Sequence, residues 1–167
     1  HTALQNPKVW AAAQEQSDQL ADMGAQVLAM SDAAYPVLLR TIYDPPPLLY
    51  VRCKAALLSE AQLAVVGSRK ASPAGRRAAR TLAAGAARAG LHISSGLALG
   101  IDGEAHRAAL DAGGASIAIM ATGIDRVYPA KHRNLAQEIV SNGCLVTEFA
   151  LGLGPDRFRF PRRNRIL

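Results

Sequence analysis

The densest chemistry in this chain is its last stretch, Arg157-Phe158-Arg159-Phe160-Pro161-Arg162-Arg163-Asn164-Arg165, five arginines interleaved with two phenylalanines. Guanidinium groups fork onto phosphates, and both residue types stack on bases, so the combination suits single-stranded nucleic acid. The competing reading is a solvated basic tail. We read Phe158 and Phe160 as core plugs and at least two of the arginines as phosphate contacts. A second basic pair, Arg69 and Lys70, follows Gly67-Ser68. Carboxylates and a histidine complete the inventory: Asp102, Glu104, His106, Asp125 and Glu148. A helix places Asp102 and His106 on one face at i and i+4. Asp102, however, is accounted for as a helix N-cap, and a lone histidine beside it is more often hydrogen-bonded structure than a general base. The chain contains no Gly-x-Gly-x-x-Gly fingerprint, Walker lysine loop or His-Glu-x-x-His. Arg69 would fill space that a dinucleotide pyrophosphate needs near the backbone. We therefore expect no catalytic residue, no cofactor and no metal.

These residues need elements to position them, and residues 62–75 set the plan. Leu63 to Val66 read as a short buried parallel strand, Gly67 permits a sharp exit, and Ser72-Pro73 is a strong helix start. Unpaired amides at such a start favour an anion. The pattern then repeats. A helix runs to Gly90, Leu91 to Ser95 form a strand, Gly96 to Gly100 a turn, and a helix from Asp102 ends at Gly113-Gly114. Ser116 to Met120 form a strand and Gly123 to Lys131 a loop, then a helix closes at Asn142-Gly143 and Cys144 to Thr147 form a strand. Alternation of this kind implies right-handed crossovers and an α/β fold: a doubly wound, mostly parallel Rossmann-like sheet covered on both faces. Upstream, residues 7–23 make an amphipathic helix, Ala25 to Met30 a short strand, and Asp44-Pro45-Pro46-Pro47 a rigid linker. We expect a small, mainly helical appendage over residues 1–45 and the Rossmann-like domain over 46–167.

Ligands of open parallel sheets bind outside the carboxyl ends of the strands. That rule gathers Ser68, Arg69 and Lys70, then Ser95 and Gly96, then Thr122, Gly123 and Arg126 with Lys131 and His132, then Glu148 and the arginine run. The 167 residues carry a net charge of +6, which favours a polyanion partner. Half the residues are hydrophobic, enough for an aliphatic core. Cys53 and Cys144 read as isolated core thiols, which implies a reduced, cytoplasmic setting. No apolar stretch approaches the ~20 residues that span a bilayer, and no membrane partner is expected. The chain opens on His1, as a segment of a longer protein would.

Taken together, these stretches resemble the DNA-processing protein A family of bacterial transformation proteins, also called DprA or Smf. The resemblance runs from about Tyr35 to the end. It rests on Tyr35-Pro36 with Asp44-Pro45-Pro46, Val65-Val66-Gly67-Ser68-Arg69, Ser95-Gly96-Leu97-Ala98 followed by Gly100-Ile101-Asp102 and Ala105-His106, Tyr128-Pro129 with His132, and Phe160-Pro161-Arg162-Arg163-Asn164-Arg165-Ile166. It implies an extended Rossmann domain that binds single-stranded DNA in a basic pocket, protects incoming DNA and helps load the RecA recombinase. Homodimerisation is implied too. The pocket would involve Ser68, Arg69, Ser95, Gly96, Lys131 and the arginines of the last motif, Arg162, Arg163 and Arg165, to which the strand-end rule adds Lys70 and Arg126. Leu99 stands where the family commonly has an arginine, and Cys53 where a glycine usually follows the first strand. The family also continues past the position of Leu167, so part of the domain, including much of the dimer and RecA surface, is expected to be absent.

Two other readings stand beside this one. A nucleotide N-glycosidase on the similar scaffold of the cytokinin-activating phosphoribohydrolases would carry Pro-Gly-Gly-x-Gly-Thr-x-x-Glu, which this chain lacks. A protein-interaction platform would set the basic edge against an acidic partner.

Overall fold

The computed structural model of the chain describes residues 6–53 and 55–167; residues 1–5 of the expected appendage lie outside them. Six strands form one sheet: β1 (Gln26–Ala29), β2 (Leu48–Cys53), β3 (Gln62–Ala64), β4 (His92–Ser95), β5 (Ser116–Ile119) and β6 (Gly143–Thr147). They lie in the order β1-β2-β6-β5-β4-β3. The pairs β3/β4, β4/β5 and β5/β6 are parallel, whereas β1/β2 and β2/β6 are antiparallel. Strand β1 falls inside the span read as appendage and forms one margin of the sheet.

The helices are α1 (Pro7–Asp22), α2 (Val37–Arg40), α3 (Pro73–Arg88), α4 (Ile101–Asp111), α5 (Arg133–Asn142) and α6 (Arg159–Arg163). Helix α1 starts on Asn6, whose side chain accepts from the Lys8 amide at 3.0 Å, with Pro7 at the first position. Helix α3 starts as its sequence requires, Ser72 Oγ accepting from the Gly75 amide at 3.1 Å. Helix α4 does not. Its N-cap is Gly100, at φ +82, where a side chain would run into the Ser68 carbonyl; Asp102 is the second residue of the helix.

The parallel strands β3 to β6 follow one another across the sheet in chain order. Right-handed crossovers that all advance in one direction put their helices on one face. That face is built from small residues. Ala83 and Ala87 of α3 pack with Ala105, Ala108 and Ala109 of α4 over Ile93, and Leu135, Ala136 and Ile139 of α5 cover Ala118, Met120 and Leu145. Alanine favours helix and lets helices approach closely. The alternate residues Ile117, Ile119, Cys144 and Val146 point to the other face, where Leu28, Tyr35, Leu49, Val51 and Leu58 meet them. An apolar groove of about 730 Å³ remains open there, bounded by α2, Ile166 and Leu167.

Two expectations change. The strand expected over Leu63 to Val66 is observed as β3, Gln62–Ala64, an exposed margin and not a buried centre, because only β4 flanks it. Cys144 is buried but disulfide-bonded, so it is not a free core thiol; its Cα faces that of Cys53 across the β2/β6 register.

The Tyr35-Pro36 and Asp44-Pro45-Pro46 stretches also acquire a reason. The buried Tyr35 hydroxyl donates to the Pro46 carbonyl at 2.7 Å, and burial raises its pKa. The linker is thereby fastened to the sheet.

Candidate nucleic-acid interface

The carboxyl ends of β3, β4 and β5 open on one edge, and α6 returns to pack against it. Arg69, exposed in the turn after β3, lies with its guanidinium 4.8 Å from the centre of the Phe160 ring. Phe160 in turn is 5.9 Å from Tyr128, centre to centre, with the rings tilted by 52°. Tyr128 is 47% exposed and Phe160 half-buried. A cation on a ring, beside a second ring, each reachable by solvent, presents flat surface on which bases stack.

Free cations flank this array. Lys70 is exposed beside Arg69, where its amide donates to Ser68 Oγ at 3.1 Å. Lys131 is exposed beside His132, whose Nδ1 donates to the buried Leu97 carbonyl at 2.9 Å. That bond ties the Tyr128-to-His132 segment to the loop after β4. None of Arg69, Lys70 and Lys131 forms an ion pair among the described residues.

The loop after β4 is over-determined. Leu97 is a buried non-glycine residue at φ +58, a strained conformation that neighbours must hold. Asp102 Oδ2 accepts from the amides on either side, Gly96 at 3.1 Å and Ala98 at 3.3 Å, and His132 holds the carbonyl between them. The residue expected to cap α4 braces this loop instead. Ser95, fully buried, donates its hydroxyl to the Val65 carbonyl and locks β4 to the end of β3.

The arginine run divides. Arg163 is buried; its guanidinium donates to the carbonyls of Gly96 at 2.7 Å and of Ile119, and Nε donates to Asn164 Oδ1 at 3.1 Å. Burial lowers its pKa, an effect that Asp102 opposes and Arg69 reinforces. Arg165 grips the buried Glu148 carboxylate with both terminal nitrogens and donates from Nε to the Asp44 carbonyl at 2.7 Å; the Glu148 hydrogen bonds raise its pKa. Both guanidiniums are engaged inside the protein. Arg162 is exposed and donates to Glu148 at 3.2 Å. Phe158, read as a core plug, is 70% exposed with Arg157 over its ring at 4.6 Å, because it precedes α6. Thus Ser68, Arg69, Lys70, Lys131, Arg126 and Arg162 line the surface, while Ser95, Gly96, Arg163 and Arg165 form its support. Arg126 lies on the far side of Tyr128, paired with Asp125 at 3.5 Å.

The acid–base candidates are equally committed. Glu104 faces Arg76 at 3.4 Å and Arg80 at 3.2 Å, and Glu148 is held by arginines. His106 has no exposure, and burial lowers its pKa to about 3. Ser116 Oγ donates to the Ile93 carbonyl at 3.0 Å, so it accepts from His106 Nδ1 at 2.7 Å, and His106 Nε2 carries an unpartnered lone pair. Among the described residues, no group of histidine, cysteine and carboxylate side chains is placed to hold a metal. No helix there is long and apolar enough to cross a membrane.

Arg69 lies at the expected strand-end edge; Tyr128 is not among the expected site residues, and Phe160, expected as a core plug, is half-buried between Arg69 and Tyr128. A tyrosine in a loop gives no periodic signal.

The fold and site define an α/β, Rossmann-like domain with a cationic, aromatic strand-end edge, and comparison narrows the class. The family model for DNA recombination-mediator protein A matches residues 26–167, and the chain belongs to that family. It is 44% identical over 134 residues to protein Smf of Escherichia coli strain K12, covering 80% of this chain and 36% of that protein. It is 35% identical over 162 residues to DNA processing protein DprA of Bacillus subtilis strain 168, covering 96% of this chain and 52% of that protein. The chain therefore spans about a third to a half of the length of these relatives. The crystal structure of DprA from Streptococcus pneumoniae superposes with a TM-score of 0.81 at 37% identity, covering 96% of this chain and 58% of that one. The Helicobacter pylori DNA processing protein A, whose structure addresses a unique single-stranded DNA binding mode, gives 0.75 at 30% identity, covering 84% and 64%.

Proposed function

We propose that this chain is a non-catalytic single-stranded DNA-binding unit of DNA uptake in natural transformation. The observation that carries the reading is the exposed Arg69–Phe160–Tyr128 array between Lys70 and Lys131. Bases stack on the rings while the cations take phosphates, so a single strand, whose bases are free, is preferred to a duplex. Family membership supports protection of incoming DNA, loading of the RecA recombinase and homodimerisation as parts of the same proposal. A cytoplasmic setting follows from such partners and no longer from the cysteines, since Cys144 is not a free thiol.

The test is fluorescence anisotropy with labelled single-stranded and duplex oligonucleotides of equal length at two salt concentrations. A preference for the single strand that weakens with salt, with a log–log slope near ~0.7 per neutralised phosphate, is the expected result. Equal affinity for both forms, or an Arg69→Ala variant that binds as well as the parent, would remove this reading. Release of a free base from a nucleoside monophosphate would revive the glycosidase.

A further inference from the structure

Past Tyr128 the surface opens into a groove of about 650 Å³. Three arginines from separate elements line it: Arg52 on β2, Arg126 in the loop after β5, and Arg133 at the start of α5. Some surface arginines face carboxylates, as Arg76, Arg80 and Arg162 do. Arg52 and Arg133 form no ion pair among the described residues. Asp125, the carboxylate in the groove, is shared between Arg126 at 3.5 Å and the Gly152 amide at 3.0 Å. Three guanidiniums against one carboxylate leave the groove cationic, and Thr122, Gln137 and Ser141 add hydrogen-bonding groups. Tyr128 belongs to both places: its ring lies 5.9 Å from Phe160, and it forms part of the groove wall.

We propose that this groove takes the phosphates of a single strand running on past the bases stacked on Phe160 and Tyr128, with Arg52 and Arg133 as the contacts. The inference rests on the single-strand reading above. Two guanidiniums without an ion pair, lining one polar groove from separate elements, suit phosphates of a backbone. Continuity with an aromatic array favours a nucleic-acid strand over an acidic protein segment, which has no use for stacking surface.

The experiment compares oligothymidylates of about 4 and about 16 nucleotides, the limits of ordinary single-strand site sizes. Anisotropy is read across a salt series for the parent chain, Arg52→Ala/Arg133→Ala, and Arg69→Ala. The groove variant is expected to bind the short strand like the parent and the long strand roughly tenfold more weakly. Its long-strand salt slope should be shallower by about 1.4, two phosphates at about 0.7 each. If alanine lowers the melting temperature, Arg52→Gln/Arg133→Gln keeps the side-chain stems and carries the same expectation. Unchanged long-strand affinity and slope, or an equal loss on both lengths in the glutamine pair, overturns the groove. An Arg69→Ala variant that binds normally, beside a weakened groove variant, removes the stacking array and leaves the groove standing. A parent chain that binds neither strand overturns both.

Discussion

Arg163 donates from its guanidinium to the carbonyl oxygen of Gly96 at 2.7 Å, and through the same nitrogen to that of Ile119, closing the ends of β4 and β5. The most conspicuous basic run in the sequence is therefore partly internal scaffolding. A Cβ on Gly96 would overlap that guanidinium. Gly96→Ala should destabilise by about 1–3 kcal/mol through overpacking. Arg163→Ala leaves two carbonyls unpaired, each costing on the order of 1–3 kcal/mol. Urea denaturation measures both. An Arg163→Ala protein of parental stability but weakened DNA binding would return Arg163 to the phosphate contacts.

Phe160 and Tyr128 separate stacking from charge. Phe160→Ala removes a ring that also supports Arg69, and should weaken single-strand binding by about 1–3 kcal/mol while leaving the salt slope almost intact. Tyr128→Phe keeps the face of the ring and should bind like the parent. A Phe160→Ala variant that loses salt dependence along with affinity would show that the ring acts only by placing Arg69.

The repeating architecture was legible because each element carries its own local signal: Ser72-Pro73 starts a helix wherever it stands, and Ile117 to Ile119 read as strand without knowledge of their neighbours. What failed was information held between elements. Asp102 has the right type and place for an N-cap, yet α4 begins on Gly100, and the carboxylate turns to the amides of Gly96 and Ala98. No property of the arginines in the last motif tells which will be buried; Arg163 is internal because two strand ends leave carbonyls there, and Arg165 because Glu148 and Asp44 converge on it. Likewise Arg52 and Arg133, 81 positions apart, share a groove only through sheet order.

The two amide contacts of Asp102 predict a contrast between its substitutions. Asp102→Asn can still present an oxygen to the Gly96 and Ala98 amides, so it should cost little beyond the charge that faces Arg163. Asp102→Ala leaves two amides without their acceptor and releases Leu97 from its left-handed conformation. A loss on the order of 2–4 kcal/mol is expected. Thermal denaturation ranks the two variants; equal melting temperatures would show that Leu97 packing and the His132 bond hold the loop without Asp102.

His106 predicts how stability responds to acid. Burial lowers its folded pKa to about 3, and the charges of His132, Arg107 and Arg163 act in the same direction. In the unfolded chain it returns to an ordinary value near ~6.5. Between those two values the unfolded state binds a proton that the folded state refuses, so the folded state is undisturbed above about pH 6.5 and loses stability as pH falls toward 3. The loss from this group is about 1.4 kcal/mol per pH unit within that window. His106→Asn keeps a donor for Ser116 Oγ and does not titrate. Its unfolding free energy, measured in urea from pH 7.5 to 4.5, should fall less steeply than the parent's by about that amount per unit. Parallel curves for the two proteins would mean that His106 gains a proton and a partner for Nε2 in the folded state, and that the acid sensitivity lies with other groups.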